Sequence, residues 1–129
     1  MELICQQKLF NRSVQDLSKM NNRNSLLTGI EAIKKNKLRE AEEIFTNLLI
    51  KHPLDPEINH FLGITNQLQN KIDKAILNYK KAIKINPKFA EAHKNLGNMF
   101  YRLGKIDKAE LCFKKALKIE PQLEEAKTV

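Results

Sequence analysis

The sequence predicts an all-α solenoid of antiparallel helix pairs, on three observations. Gly29, Gly63 and Gly97, then Ala41, Ala75 and Ala109, then Pro53, Pro87 and Pro121 each recur at a spacing of 34 residues. Within each unit, apolar residues fall at steps of three and four, the period of one helix face. Each unit is also punctuated twice, once by Asn36, Asn70 or Gly104 and once by its proline. A fixed period of this length marks stacked helical units, which form extended binding surfaces more often than catalytic centres.

The elements follow in order. Residues 3–18 place Leu3, Cys5 or Gln6, Leu9 or Phe10, Val14 and Leu17 near helical spacing. Residues 1–21 are thus expected to be an amphipathic helix and its connection, either capping the open end of the stack or lying in its groove. Units then run over 22–55, 56–89 and 90–123. In the last, Ala92, Leu96, Met99, Phe100 and Leu103 outline a first helix, A, and Ile106, Ala109, Phe113, Ala116 and Leu117 a second, B. Asn36, Asn70 and Gly104 stand between A and B, and are the residue types that best tolerate the left-handed angles ending a helix. Helix B must stop before each proline, which restrains the residue ahead of it and lacks an N–H. Asp55, Pro56 and Glu57 read as an N-cap, a proline at the first helical position and a first-turn acid. Residues 124–129 begin a further or capping helix.

Three glycines inside helices need a reason, because each costs about 1 kcal/mol relative to alanine. Close approach to the facing helix B is expected, with Ala41, Ala75 and Ala109 as the small counterparts and Leu62, Tyr79, Leu96 and Phe113 filling the space around the contact.

Composition narrows the class. With 129 residues, 42% of them hydrophobic and 29% charged, the chain is expected to form a single folded domain. No stretch approaches the roughly 18 apolar residues of a membrane helix, so no membrane partner is expected. The amino terminus has an acid, Glu2, where a secretory signal would be basic. Cys5 and Cys112 make no metal-ligand spacing, which favours a reduced, cytoplasmic setting. The net charge of +8 is nearly all lysine, and Lys80, Lys81 and Lys84 return as Lys114, Lys115 and Lys118. That pattern reads as a repeated solvated face.

The 34-residue helix-turn-helix with Leu62-Gly63 or Leu96-Gly97, followed by alanine, an aromatic, alanine and proline, resembles the tetratricopeptide repeat. Residues 90–121 match its pattern almost throughout. Departures are Ser25, Asn59 and His93, where the family often has tryptophan, and Asn66, where a large apolar residue is usual. The first unit is the most degenerate, with Thr28 and Ala32 in place of larger residues. The resemblance implies a right-handed superhelix whose concave face is lined by the A helices. Carried onto this chain, the groove positions are Leu26, Leu27, Ile30 and Ile33, then His60, Phe61, Ile64 and Leu68, then Lys94, Asn95, Asn98 and Arg102. The first part is apolar and the last polar and basic, which suits a peptide or partner protein with an apolar anchor and a polar or acidic continuation. Coverage of the apolar part by residues 3–18, or self-association, is the competing expectation.

Two groove types of the family are tested by residue. The carboxylate clamp for chaperone tails needs lysine, arginine and asparagine where this chain has Leu26, Ile30, Phe61, Glu91 and Asn95, so it is disfavoured. An asparagine ladder of the kind in O-linked N-acetylglucosamine transferase is met only by Asn95 and Asn98. No catalytic constellation, metal site or cofactor motif is present: His52, His60 and His93 lack metal-ligand spacing, and Glu40, Glu42 and Glu43 read as a solvated face. The expected role is a protein-interaction scaffold or adaptor, not an enzyme. The alternative is a substrate-recruiting arm of a longer glycosyltransferase- or sulfotransferase-like enzyme continuing past Val129. Single-stranded RNA binding is disfavoured, since Leu27, Phe61 and Asn95 supply no repeated base-reading code.

Overall fold

A computed structural model describes residues 22–123. They form six helices and no strand: α1 over 22–34, α2 (Leu38–Lys51), α3 (Pro56–Leu68), α4 (Ile72–Ile85), α5 (Ala90–Arg102) and α6 (Ile106–Ile119). The expected helices at 3–18 and 124–129 lie outside the described residues. Among α2 to α6, extensive packing is confined to helices consecutive in sequence. It is densest within α3–α4 and α5–α6 and thinner across α2–α3 and α4–α5. The result is an all-α helical-repeat solenoid, with no helix among the described residues long and apolar enough to cross a membrane.

Local chemistry explains the turns. Asn36, Asn70 and Gly104 have φ of 59, 63 and 77°, the left-handed values expected of them. The chain then closes the same pair of hydrogen bonds three times. Lys37, Lys71 and Lys105 N–H groups donate to the carbonyls of Ala32, Asn66 and Phe100, while Asn36, Asn70 and Gly104 donate to Ile33, Gln67 and Tyr101. These satisfy carbonyls that the ending helix leaves open. At the start of α3 the Asp55 carboxylate accepts from the Glu57 and Ile58 N–H groups at 2.9 and 3.2 Å, with Pro56 at the first position.

The glycine expectation needs a correction. A Cβ on Gly63 would lie 2.7 Å from Tyr79 Cε1, and one on Gly29 or Gly97 would lie 2.7 Å from the ring of Phe45 or Phe113. The glycines therefore admit the helix-B ring sixteen residues on, which lies directly on the A-helix backbone. Ala41, Ala75 and Ala109 are buried, but the ring is the counterpart that demands glycine.

The core divides along the stack. Ala32, Ala41, Phe45, Leu48, Ile58 and Leu62 form one cluster, and Ala75, Tyr79, Leu96, Met99, Phe100 and Cys112 belong to the next. Burial pushes the Cys112 thiol up, so this cysteine packs as a small apolar residue. Where Asn66 replaces the usual large apolar residue, its Nδ2 donates to Asn78 Oδ1 at 2.8 Å, fully buried between α3 and α4. His93 is buried and its Nε2 donates to the Pro87 carbonyl at 2.8 Å, tying α5 to the loop before it.

Candidate functional site

Residues on the A helices α1, α3 and α5 supply every expected groove position. Leu26, Ile30, Ile33 and Phe61 are half-buried and pack against the first core cluster, and Ile64 packs against the next. Leu27 and Leu68 project most, at 55% and 52% exposure. The Phe61 ring stacks on Phe45 with centroids 5.8 Å apart and planes 13° from parallel, so one edge of a core aromatic stack reaches this face.

His60 is the exception among these residues. At 7% exposure it forms the floor, beneath Phe61, Tyr79 and Phe89, whose ring centroids lie 5.5, 5.8 and 4.8 Å away. The Asn95 amide lies 2.8 Å from His60 Nε2, a contact that joins α5 to α3 across 35 residues. Burial lowers the His60 pKa to about 4; Glu91 opposes that shift and Lys94 adds to it. The ring is therefore neutral near pH 7, with Nε2 free to accept the amide N–H.

The third pair is less basic than its sequence implies. Lys94 is paired with Glu91 at 3.3 Å on the same helix, and Arg102 donates to Asn70 Oδ1 at 3.3 Å. Asn98 is half-buried. Glu57 and Glu91, both in the first turn of an A helix and 34 residues apart, stand beside these positions. Both are visible in the sequence, Glu57 as a first-turn acid and Glu91 at a clamp position, but neither is among the groove positions that the family resemblance implies.

An open cleft of about 480 Å³ gathers the apolar end. Leu26, Leu27 and Ile30 of α1 meet Leu48 and Ile58 there, and Asp55, Glu57 and Arg23 sit at the rim. A second cleft of about 400 Å³ follows, lined by Glu57, Phe89, Ala90 and Glu91. Such a surface can take apolar side chains at one end and hydrogen-bonding or mixed-charge groups beyond. Among the described residues, no group of three or more His, Cys, Asp or Glu is placed to hold a metal ion.

Comparison with known families and structures agrees with this architecture. Residues 68–104 match the model described as TPR repeat, and residues 90–123 match the one described as Tetratricopeptide repeat. Residues 68–123 thus carry tetratricopeptide repeats. No curated protein matches it by sequence. Solved tetratricopeptide structures similar to it include MamA, at TM-score 0.74 and 24% identity over 85% of this chain, which spans 64% of the MamA chain. The first TPR of Spaghetti (RPAP3), bound to the HSP90 peptide SRMEEVD, is similar at TM-score 0.74 and 20% identity, covering 78% of this chain and 79% of that one. The Sgt2 TPR domain from Aspergillus fumigatus is similar at TM-score 0.75 and 18% identity, covering 78% of this chain and 67% of that one. At these identities the likeness is one of fold.

Proposed function

We propose that this tetratricopeptide array is a protein-interaction module that binds a peptide segment of a partner along the α1, α3 and α5 face. The cleft in which Leu26, Leu27, Ile30, Leu48 and Ile58 meet carries this reading, because it offers an apolar anchor site beside a polar track. The peptide bound by the first TPR of Spaghetti supports the same use of the fold. That peptide is acidic, and this array has Glu91 and Asn95 where a clamp would present cations. The fitting ligand is accordingly an apolar anchor followed by polar or mixed-charge residues, not an acidic tail.

Selection from a random peptide library on the intact chain tests the reading. Leu27→Glu and Leu68→Glu alter exposed side chains and leave the core intact, with Leu54→Glu in the α2–α3 loop as control. Each groove variant should weaken selected peptides by about tenfold or more, as expected for loss of one buried leucine contact. Equal affinity for wild type and both groove variants would sink the assignment of this face.

A further inference from the structure

The outward sides of α4 and α6 form a second surface that the groove leaves unused. Leu77, Lys80, Lys81 and Lys84 share one side of α4, and Leu111, Lys114, Lys115 and Lys118 repeat that side on α6. All six lysines are exposed, and each leucine is 59% exposed one helical turn before the first of its lysines. The two fields adjoin. Lys80 of α4 and Lys108 of α6 both lie over the Phe100 ring, 5.8 and 5.7 Å from its centroid. Lys80 and Lys115 both reach the neighbourhood of Cys112, where they oppose the effect of burial on its thiol.

The charge is local to these two helices. Together α4 and α6 hold eight lysines against three acids, whereas α2 holds two basic residues against three acids. In α2 the places of the six lysines' first set are taken by Thr46, Asn47 and Ile50. The ion pairs among the described residues are Lys71–Glu42 and Lys94–Glu91, so no lysine of α4 or α6 is neutralised in one.

We propose that the outer face of α4 and α6 rests on an anionic lipid bilayer, with Leu77 and Leu111 entering the headgroup boundary and the lysines lying among the headgroups. Charge complementarity selects an anionic partner. The leucines select among anionic partners, because a protruding apolar side chain gains from an interface and gains nothing against hydrated phosphates. Lysine also suits a bilayer, since its long stem lies along the apolar layer while the ammonium stays in water. Arginine, the better fork for defined carboxylates, is absent from both outward sides. Exposed aromatic rings, on which nucleic-acid bases would stack, are absent there too. The proposal departs from the sequence-based expectation of no membrane partner, which rested on the lack of a spanning stretch.

Flotation of the intact chain tests it, using phosphatidylcholine vesicles with about 30% phosphatidylserine at about 0.1 M salt. The chain should float with these vesicles and not with phosphatidylcholine alone. The variant Lys81→Glu/Lys84→Glu/Lys115→Glu/Lys118→Glu spares the two lysines over Phe100 and should bind at least about tenfold more weakly. Leu77→Gln/Leu111→Gln keeps the charge and should also lose about tenfold. Far-ultraviolet circular dichroism confirms that both remain helical. The proposal is overturned if the chain fails to float, or floats equally with neutral vesicles. It is also overturned if either variant floats like wild type, or if a random oligonucleotide or polyglutamate binds more tightly than the vesicles at the same salt.

Discussion

Gly63→Ala should destabilise this chain, although the same change in an open helix would stabilise it. Alanine gains about 1 kcal/mol over glycine in a helix interior. Against this, the new Cβ would stand 2.7, 2.9 and 3.1 Å from Cε1, Cδ1 and Cζ of Tyr79. That ring cannot swing clear, because it is fully buried and its hydroxyl donates to Gln67 Oε1 at 2.6 Å. Overpacking a tight core costs about 1 to 3 kcal/mol, and drawing the hydroxyl off Gln67 adds about 1 kcal/mol. The net expectation is a loss of about 1 to 3 kcal/mol, read as a lower urea midpoint at unchanged slope. A second background isolates the cause. On Tyr79→Leu, whose side chain lacks the ring, adding Gly63→Ala should be neutral or stabilising by up to about 1 kcal/mol. If Gly63→Ala raises the midpoint in the wild-type background, or costs the same in both, the ring is not the reason for the glycine.

Three further outcomes are expected. Gly104→Ala should lose about 1 kcal/mol by forcing a side chain to φ 77°, while Gly104→Asn should cost less, since Asn36 and Asn70 already hold that conformation; urea midpoints separate the two. Asn78→Leu should cost about 1 to 3 kcal/mol by stranding the buried Asn66 amide, and Asn66→Leu/Asn78→Leu should recover most of that loss, because no unpaired polar group remains. His60 has its pKa lowered to about 4 from an unfolded value of about 6.5, so the unfolded chain binds the extra proton first. Its contribution is complete above about pH 6.5 and is lost as pH falls toward 4. His60→Gln should therefore show a flatter stability profile across that window, and parallel profiles would remove the role assigned to the buried ring.

Much of the fold was legible because its signals are local. A left-handed residue at each A–B turn, a proline after helix B and the Asp55 cap act within a few residues of themselves, so the printed order of side chains suffices to read them. The glycines show where that ends. Alanine twelve residues on and an aromatic sixteen residues on recur with the same period, and only the helix crossing decides that the ring of Tyr79 lands on Gly63. For the face proposed to bind, the sequence displays which residues share the A helices but not how deep each one sits. Leu27 and Leu68 stand out from the A helices, but His60 sinks because Tyr79 and Phe89, brought in by α4 and the loop after it, close over it. The basic character assigned to Lys94 is cancelled by Glu91, a pair three residues apart that the sequence displays but a position-by-position mapping passes over. Asn66 was recognisable as a departure, yet its partner Asn78 lies on the next helix and emerges only in three dimensions.

The contact between glycine and ring also determines how such a chain can change length. Glycine and ring both belong to one helix pair, although the outer side of the ring packs on the next pair, as Phe45 does on Phe61. A unit of 34 residues thus carries its own turn and its own internal spacer, and can be copied or removed as a cassette without reinventing either. What a new cassette must supply is a fit at its two flanks, where joints such as His60 to Asn95 and Arg102 to Asn70 are specific to the present neighbours. Growth by whole units is permitted by the inside of each repeat and policed at its borders.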